Sequence, residues 1–263
     1  MASMTKVLLL RAPKEGSDQD PYKELFAESG LDETSFSPLS FEFFNLEKLY
    51  SHLIKPNDYA GLVFTSARTV QAVHNCLQEF STFQEWKEGL QKDWATLPSY
   101  SVGTSTALAV RDLGLTPLGE ESGSATNLVK VIKEGISPGC KPLLIPRGEM
   151  AREELTIGLQ AAGICFEVDV VYQTICNPSL EESITKYFEA GEPDVIVFFS
   201  PSGVQFSADI LKKVRPGNLK FVSIGPTTTS AMVEHGYKVA ATSAKPNAQT
   251  LLKTILDITD KVS

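Results

Sequence analysis

At 263 residues, with 42% hydrophobic and 21% charged side chains, the chain carries enough apolar material for one large or two small domains, and two is the expected number. A net charge of -8 with scattered lysines argues against sequence-independent nucleic-acid binding, which needs a concentrated basic surface to displace counterions. No apolar run approaches the roughly 20 residues that span a bilayer, and the N-terminus has neither a signal-peptide core nor an Arg-rich transit composition, so no membrane partner and a cytosolic location are expected.

In chain order, "MASMTKVLLL" places a second methionine at Met4, and Met1 to Ser3 read as a start-site extension outside the fold. Strands are predicted at "KVLLLR" (6–11), "GLVFTS" (61–66), "SYSVG" (99–103), "PLLIP" (142–146), "FEVDVVYQT" (166–174), "DVIVFFS" (194–200) and "KFVSIG" (220–225). Helical patterns separate them. Such near-continuous apolar, β-branched runs suit strands of parallel sheets covered on both faces, so the fold class is α/β.

An internal repeat follows from comparing the runs. "GLVFTSARTV" (61–70) aligns without a gap on "VIVFFSPSGV" (195–204), and "SVGTSTALAVRDLGL" (101–115) on "SIGPTTTSAMVEHGY" (223–237). "KVLLLR" echoes "PLLIPR", ending in Arg11 and Arg147. Two similar parallel-sheet α/β lobes on one plan are expected.

Each lobe then offers two strand-to-helix corners rich in hydroxyls: Ser66 and Thr104, Ser105, Thr106 in one; Ser200, Ser202, Gly203 and Thr227, Thr228, Thr229, Ser230 in the other. In open parallel sheets ligands bind at the carboxyl ends of strands, where unpaired helix N–H groups and about half a positive charge face outward. Any single corner is better explained by Ser and Thr acting as helix N-caps, which need no ligand. Four alike, two per lobe, point to a site for carboxylates or phosphates.

The sequence lacks G-x-G-x-x-G, G-x-x-x-x-G-K-[ST] and G-x-S-x-G, which disfavours dinucleotides, nucleoside triphosphates and serine hydrolysis. Cys76, Cys140, Cys165 and Cys176 form no C-x-x-C pair and read as free thiols, so no metal site is expected. His52, His74 and His235 read as surface or structural histidines. A non-enzymatic two-lobed receptor for a small anionic metabolite fits the same features as an enzyme does.

"VFTSARTV", "SVGTSTA", "IPRGEMAREEL", "VVYQT", "VFFSPSGV" and "SIGPTTTSAM", in that order, with "KVLLLRAP" before and "KPNAQTLLKTI" after, resemble uroporphyrinogen-III synthases of the animal type over essentially the whole chain. The resemblance implies two lobes of flavodoxin-like strand order joined by a two-stranded linker. Residues 4–37 with 178–263 would form one lobe, 54–165 the other, and 38–53 and 166–177 the connecting strands, with substrate held in the gap between lobes. It implies cyclisation of hydroxymethylbilane to uroporphyrinogen III by a monomer that needs no metal or organic cofactor. The same resemblance makes Tyr172 the candidate general acid. Arg11, Arg68 and Arg147 become local positive charges for substrate carboxylates, and "TSAR" in place of a proline-containing corner leaves the role of Arg68 least defined.

Overall fold

Strand β1 (Thr5–Leu10) shows why the sheets form. Its side chains alternate between faces, and both faces are apolar: Val7 and Leu9 pack with Phe26, Leu251 and Ile255, while Leu8 and Leu10 pack with Ile184, Val204, Leu211 and Met232. All four strand residues are fully buried, each worth about 1.5–3 kcal/mol of transfer free energy. A sheet so covered needs helices on both sides, which the intervening sequence supplies.

The computed structural model describes residues 4–12, 20–81, 83–214 and 219–259, with Met1 to Ser3 outside the described residues. The other strands are β2 (Leu31–Phe36), β3 (Leu39–Phe43), β4 (Gly61–Phe64), β5 (Ser99–Ser101), β6 (Pro117–Leu118), β7 (Leu143–Gly148), β8 (Phe166–Cys176), β9 (Val195–Phe198), β10 (Lys220–Ser223) and β11 (Val239–Thr242). The chain folds as two compact units, residues 1–40 with 175–263, and residues 41–174. It crosses between them inside β3 and again inside β8.

In the first unit the sheet order is β11-β10-β9-β1-β2, all neighbours parallel. Numbered within the unit, that is the 2-1-3-4-5 order of flavodoxin-like sheets. The second unit has β3-β8-β7-β4-β5-β6, with the β8-β7-β4-β5-β6 part parallel throughout. Here β7 takes the place that β1 holds in the first unit, β8 that of β2, and β4, β5, β6 those of β9, β10, β11. The two sheets share a spatial order, but the second is threaded from a different starting strand. That is why "KVLLLR" pairs with "PLLIPR" although one opens its unit and the other lies late in it.

Within the second unit, Leu62, Phe64 and Leu144 face Trp86, Trp94 and Leu77, and Val63, Leu143 and Ile145 face Leu128, Ile132 and Leu159. Residues 46–53, expected in a connecting strand, instead form the helix Leu46–Leu53, and only Leu39–Phe43 of that stretch is strand. The spacing of Leu46, Leu49, Tyr50 and Leu53 gives a one-sided apolar stripe that packs onto the core, so helical burial wins there. No helix among the described residues is long and apolar enough to cross a membrane.

Candidate functional site

In the second unit the carboxyl ends of β4, β5, β7 and β8 surround a cavity of about 470 Å³. Three of the residues singled out from sequence line it together: Ser66, Arg147 and Tyr172. Ser66 occupies the N-cap position of the helix Ala67–Phe80 with extended backbone, yet its side chain makes no capping bond. Its Oγ lies 3.4 Å from Tyr172 Oη. At this corner the hydroxyl is turned to the cavity rather than consumed by the helix start.

Tyr172 is half-buried. Its ring is wedged against Phe41 at a 5.9 Å centroid distance and Phe43 at 6.1 Å. Arg68 is not among the residues lining the cavity: its guanidinium stacks on Phe41, 4.3 Å from the ring, and donates to Gln71 at 3.1 Å. Arg68, expected to meet substrate, lies against the aromatic cluster that packs on Tyr172.

Arg147 extends from the end of β7 and donates through Nη2 to the Ala151 carbonyl and to Glu153 Oε1, each at 2.8 Å. The bonds from Arg147 and Thr156 hold the exposed Glu153 carboxyl below the usual range. Sequence reasoning missed several other lining residues: Ser124 and Thr126 at the start of the helix Ala125–Gly135, Arg152, and Met150, which is 86% exposed. Ser124 acts as a cap, accepting from the Asn127 amide at 3.3 Å. The short "SGSATN" run before an apolar helix is the signal that could have found it.

Thr104, Ser105 and Thr106 do not reach this cavity. Gly103, with φ 77°, turns the chain after β5, leaving Thr104 and Ser105 exposed at the helix start and Thr106 buried, while Val102 lines the cavity.

In the first unit the loops after β9, β10 and β11 frame a groove of about 300 Å³ lined by Pro201, Gly225, Thr227, Thr228, Ser243 and Lys245, among others. Thr227 is exposed, whereas Thr228 is 3% exposed. The neighbouring hydroxyls are occupied: Thr229 Oγ1 meets Ser223 Oγ at 2.6 Å and Thr242 Oγ1 at 2.8 Å, and Ser230 donates to the Pro226 carbonyl at 3.3 Å. Ser200 accepts from the Gly203 amide at 3.0 Å and lies 3.2 Å from Ser202 Oγ, so this corner serves as a helix cap beside the groove.

Arg11 at the end of β1 is 9% exposed, ion-paired with Asp20 and stacked 4.5 Å above the Tyr22 ring, with Nε unpaired. Partial burial opposes ionisation of Asp20, but the bond from Arg11 and the amides of Tyr22 and Lys23 outweigh it and hold the carboxyl below its usual range. His52 Nδ1 lies 2.7 Å from the buried Asp169, which also meets Lys48 Nζ at 2.7 Å. His235 Nδ1 lies 2.9 Å from the Ala231 carbonyl at a helix end. Among the described residues no set of His, Cys, Asp and Glu converges as a metal site.

Two open, parallel-dominant sheets, the first in flavodoxin-like order and the second with the same spatial plan but a shifted starting strand, each with a donor-lined hollow at its strand ends, define a two-unit α/β protein. The chain belongs to the uroporphyrinogen-III synthase HemD family, whose model matches residues 20–253. It is 27% identical to the uroporphyrinogen-III synthase of Saccharomyces cerevisiae, across 97% of this chain and 98% of that protein. With the Schizosaccharomyces pombe uroporphyrinogen-III synthase it shares 28% identity, across 96% of this chain and 97% of that protein. The crystal structure of a uroporphyrinogen-III synthetase from Helicobacter pylori superposes with a TM-score of 0.56 at 19% identity, covering 97% of this chain and 100% of that one, a likeness of fold.

Proposed function

We propose that the second unit's cavity is where hydroxymethylbilane is activated, with Tyr172 as the proton donor and Ser66 and Arg147 as binders. The activity is that of a uroporphyrinogen-III synthase, a hydro-lyase of tetrapyrrole and haem biosynthesis. The observation that carries the site assignment is the convergence of Ser66, Arg147 and Tyr172 on one cavity, with the Ser66 and Tyr172 hydroxyls 3.4 Å apart.

The chemistry follows from those groups. The C–O bond of the terminal hydroxymethyl breaks with its electron pair on oxygen, which takes the Tyr172 proton and leaves as water. The pyrrole nitrogen fills the vacancy, giving an azafulvene-like cation. The substituted carbon of the last ring attacks that carbon; its older bond to the methylene shared with the third ring then breaks, leaving an azafulvene-like cation on the third ring. The free carbon of the last ring bonds to that methylene so that the ring is inverted, and the proton lost from that carbon on rearomatisation returns to the tyrosinate. A phenol placed to donate its proton contributes about 10²–10⁴ as a general acid. Holding the bilane bent so that its two ends meet contributes the orientation term.

Substrate carboxylates would be held by Arg147 and Ser66 beside Tyr172 in the second unit; Thr227, Thr228, Ser200, Ser202, Gly203, Thr104, Ser105 and Thr106, each at a helix start, are further candidate donors for carboxylates. Near surfaces like these, short-range donors outweigh a net charge of -8 whose distant parts are screened beyond roughly 8 Å. We take the enzyme to act as a monomer in the cytosol, a reducing compartment that suits its four free thiols. Placement among animal-type synthases rests on the ordered motifs from "VFTSARTV" to "SIGPTTTSAM", since both curated relatives above are fungal.

The test is incubation with hydroxymethylbilane generated in place, then oxidation and chromatographic separation of the isomers. The type III isomer in excess of the spontaneous reaction is expected. The type I isomer alone, at the spontaneous rate, would refute the reading.

A further inference from the structure

We infer that Gly148 and Asn45 are positioning residues that aim the Tyr172 hydroxyl into the cavity, an inference that rests on the proton-donor role proposed for Tyr172. Three local departures from regular structure meet at this one side chain. β7 and β8 pair in parallel up to Arg147 opposite Val170, and then Gly148 faces Tyr172, so Val171 is an extra residue that bulges β8. A bulge re-aims the side chain that follows it.

Gly148 is buried under the tyrosine ring. A Cβ on this residue would lie 2.6 Å from Tyr172 Cζ, 2.8 Å from Oη and 2.9 Å from Cε2. Those separations are below van der Waals contact, and the clash falls on the hydroxyl end of the ring. Any side chain at 148 must therefore displace the phenol. With Phe41 and Phe43 packed against the ring, its room to recover is small.

Asn45 holds the other side of the bulge. Its Nδ2 donates to the Val170 carbonyl at 3.0 Å, and the neighbouring Phe44 amide donates to the Val171 carbonyl at 3.0 Å. Asn45 has φ 55°, the left-handed region, alone among the described non-glycine residues. Asparagine tolerates that region better than most residues, so the backbone is set to bring the amide onto the irregular strand. On β8's far side, the Glu149 amide bonds the Tyr172 carbonyl at 2.9 Å and fixes the backbone after the bulge. Neither Gly148 nor Asn45 lines the cavity. Their effect on substrate runs through the tyrosine.

The experiment is a double-mutant cycle of Gly148→Ala with Tyr172→Phe, reading kcat and KM separately and melting temperature as a fold control. Gly148→Ala is expected to lower kcat about tenfold with KM within about twofold, since misplacing a reacting group by an ångström costs on the order of 10²-fold. Added to Tyr172→Phe it is expected to cause no further loss. A wild-type kcat for Gly148→Ala beside an impaired Tyr172→Phe would overturn the inference, as would a full further loss in the double variant. A wild-type kcat for Tyr172→Phe would instead overturn the donor role on which it stands. Should Gly148→Ala not fold, the same cycle with Asn45→Gly decides, because glycine keeps the left-handed backbone and deletes only the bond to Val170. The same non-additive loss supports the inference and a wild-type kcat overturns it.

Discussion

Arg147 is already neutralised by Glu153: its guanidinium donates to the Glu153 carboxylate at 2.8 Å at the edge of the cavity. A substrate carboxylate arriving there has to share or displace that partner. Glu153→Gln is therefore expected to lower KM for hydroxymethylbilane about twofold to fivefold at low salt, the scale of one exposed charge interaction, with the gain fading as salt is raised. Steady-state kinetics at two ionic strengths measure this, and an unchanged KM would make Arg147 a structural residue.

Tyr172→Phe keeps the ring packing against Phe41 and Phe43 and removes the hydroxyl that carries the proton. Turnover is expected to fall about tenfold to a hundredfold with little change in KM. A wild-type kcat would return Tyr172 to the packing of β8.

Thr228 is buried at the first turn of the helix Pro226–Glu234 and lines the first unit's groove. Thr228→Met forces a larger side chain into both, which should cost about 1–3 kcal/mol of stability through overpacking and raise KM together. Melting temperature and kinetics report the two effects. A variant with wild-type values of both would show the groove to be roomier and less engaged than described.

The Arg11–Asp20 pair gives a pH dependence. Asp20 titrates in the folded chain below its ordinary value of 3.8, so the stability it contributes is present above that pH and is lost as the pH falls through the lowered folded value. Asp20→Asn retains an acceptor for the Tyr22 amide while removing the charge beside the buried Arg11. It is expected to cost about 1–3 kcal/mol at pH 7, and much less in strong acid. Denaturation curves at pH 7 and pH 3 test this, and a penalty independent of pH would mean that packing, not charge, links the two residues.

What could be read from the sequence and what could not divides along physical lines. β1, β4, β7, β9 and β10 are runs apolar on both faces, and their residue types alone announce them. β2 is "LDETSF" and β11 "VAAT", sheet-edge strands with polar or small residues, while β6 has two residues; none carries an apolar run to detect. The shifted starting strand of the second sheet was out of reach because repeats preserve local sequence but not the order in which the chain visits the sheet. Ser66 turns its hydroxyl to Tyr172 and the cavity while Ser200 and Ser124 are spent as caps, although all three sit at helix starts with similar local sequence. Only side-chain rotation separates those outcomes. The stacking of Arg68 was not legible for a related reason, since the aromatic ring it covers is contributed by another segment, strand β3.

A crystal structure of the enzyme with uroporphyrinogen III bound measures the central claim most directly. The account predicts the product's acid arms within hydrogen-bond distance of Arg147, Ser66 or the Thr227–Thr228 helix start, with the macrocycle against Tyr172. Acid arms held by other surfaces, with both strand-end hollows empty, would contradict it.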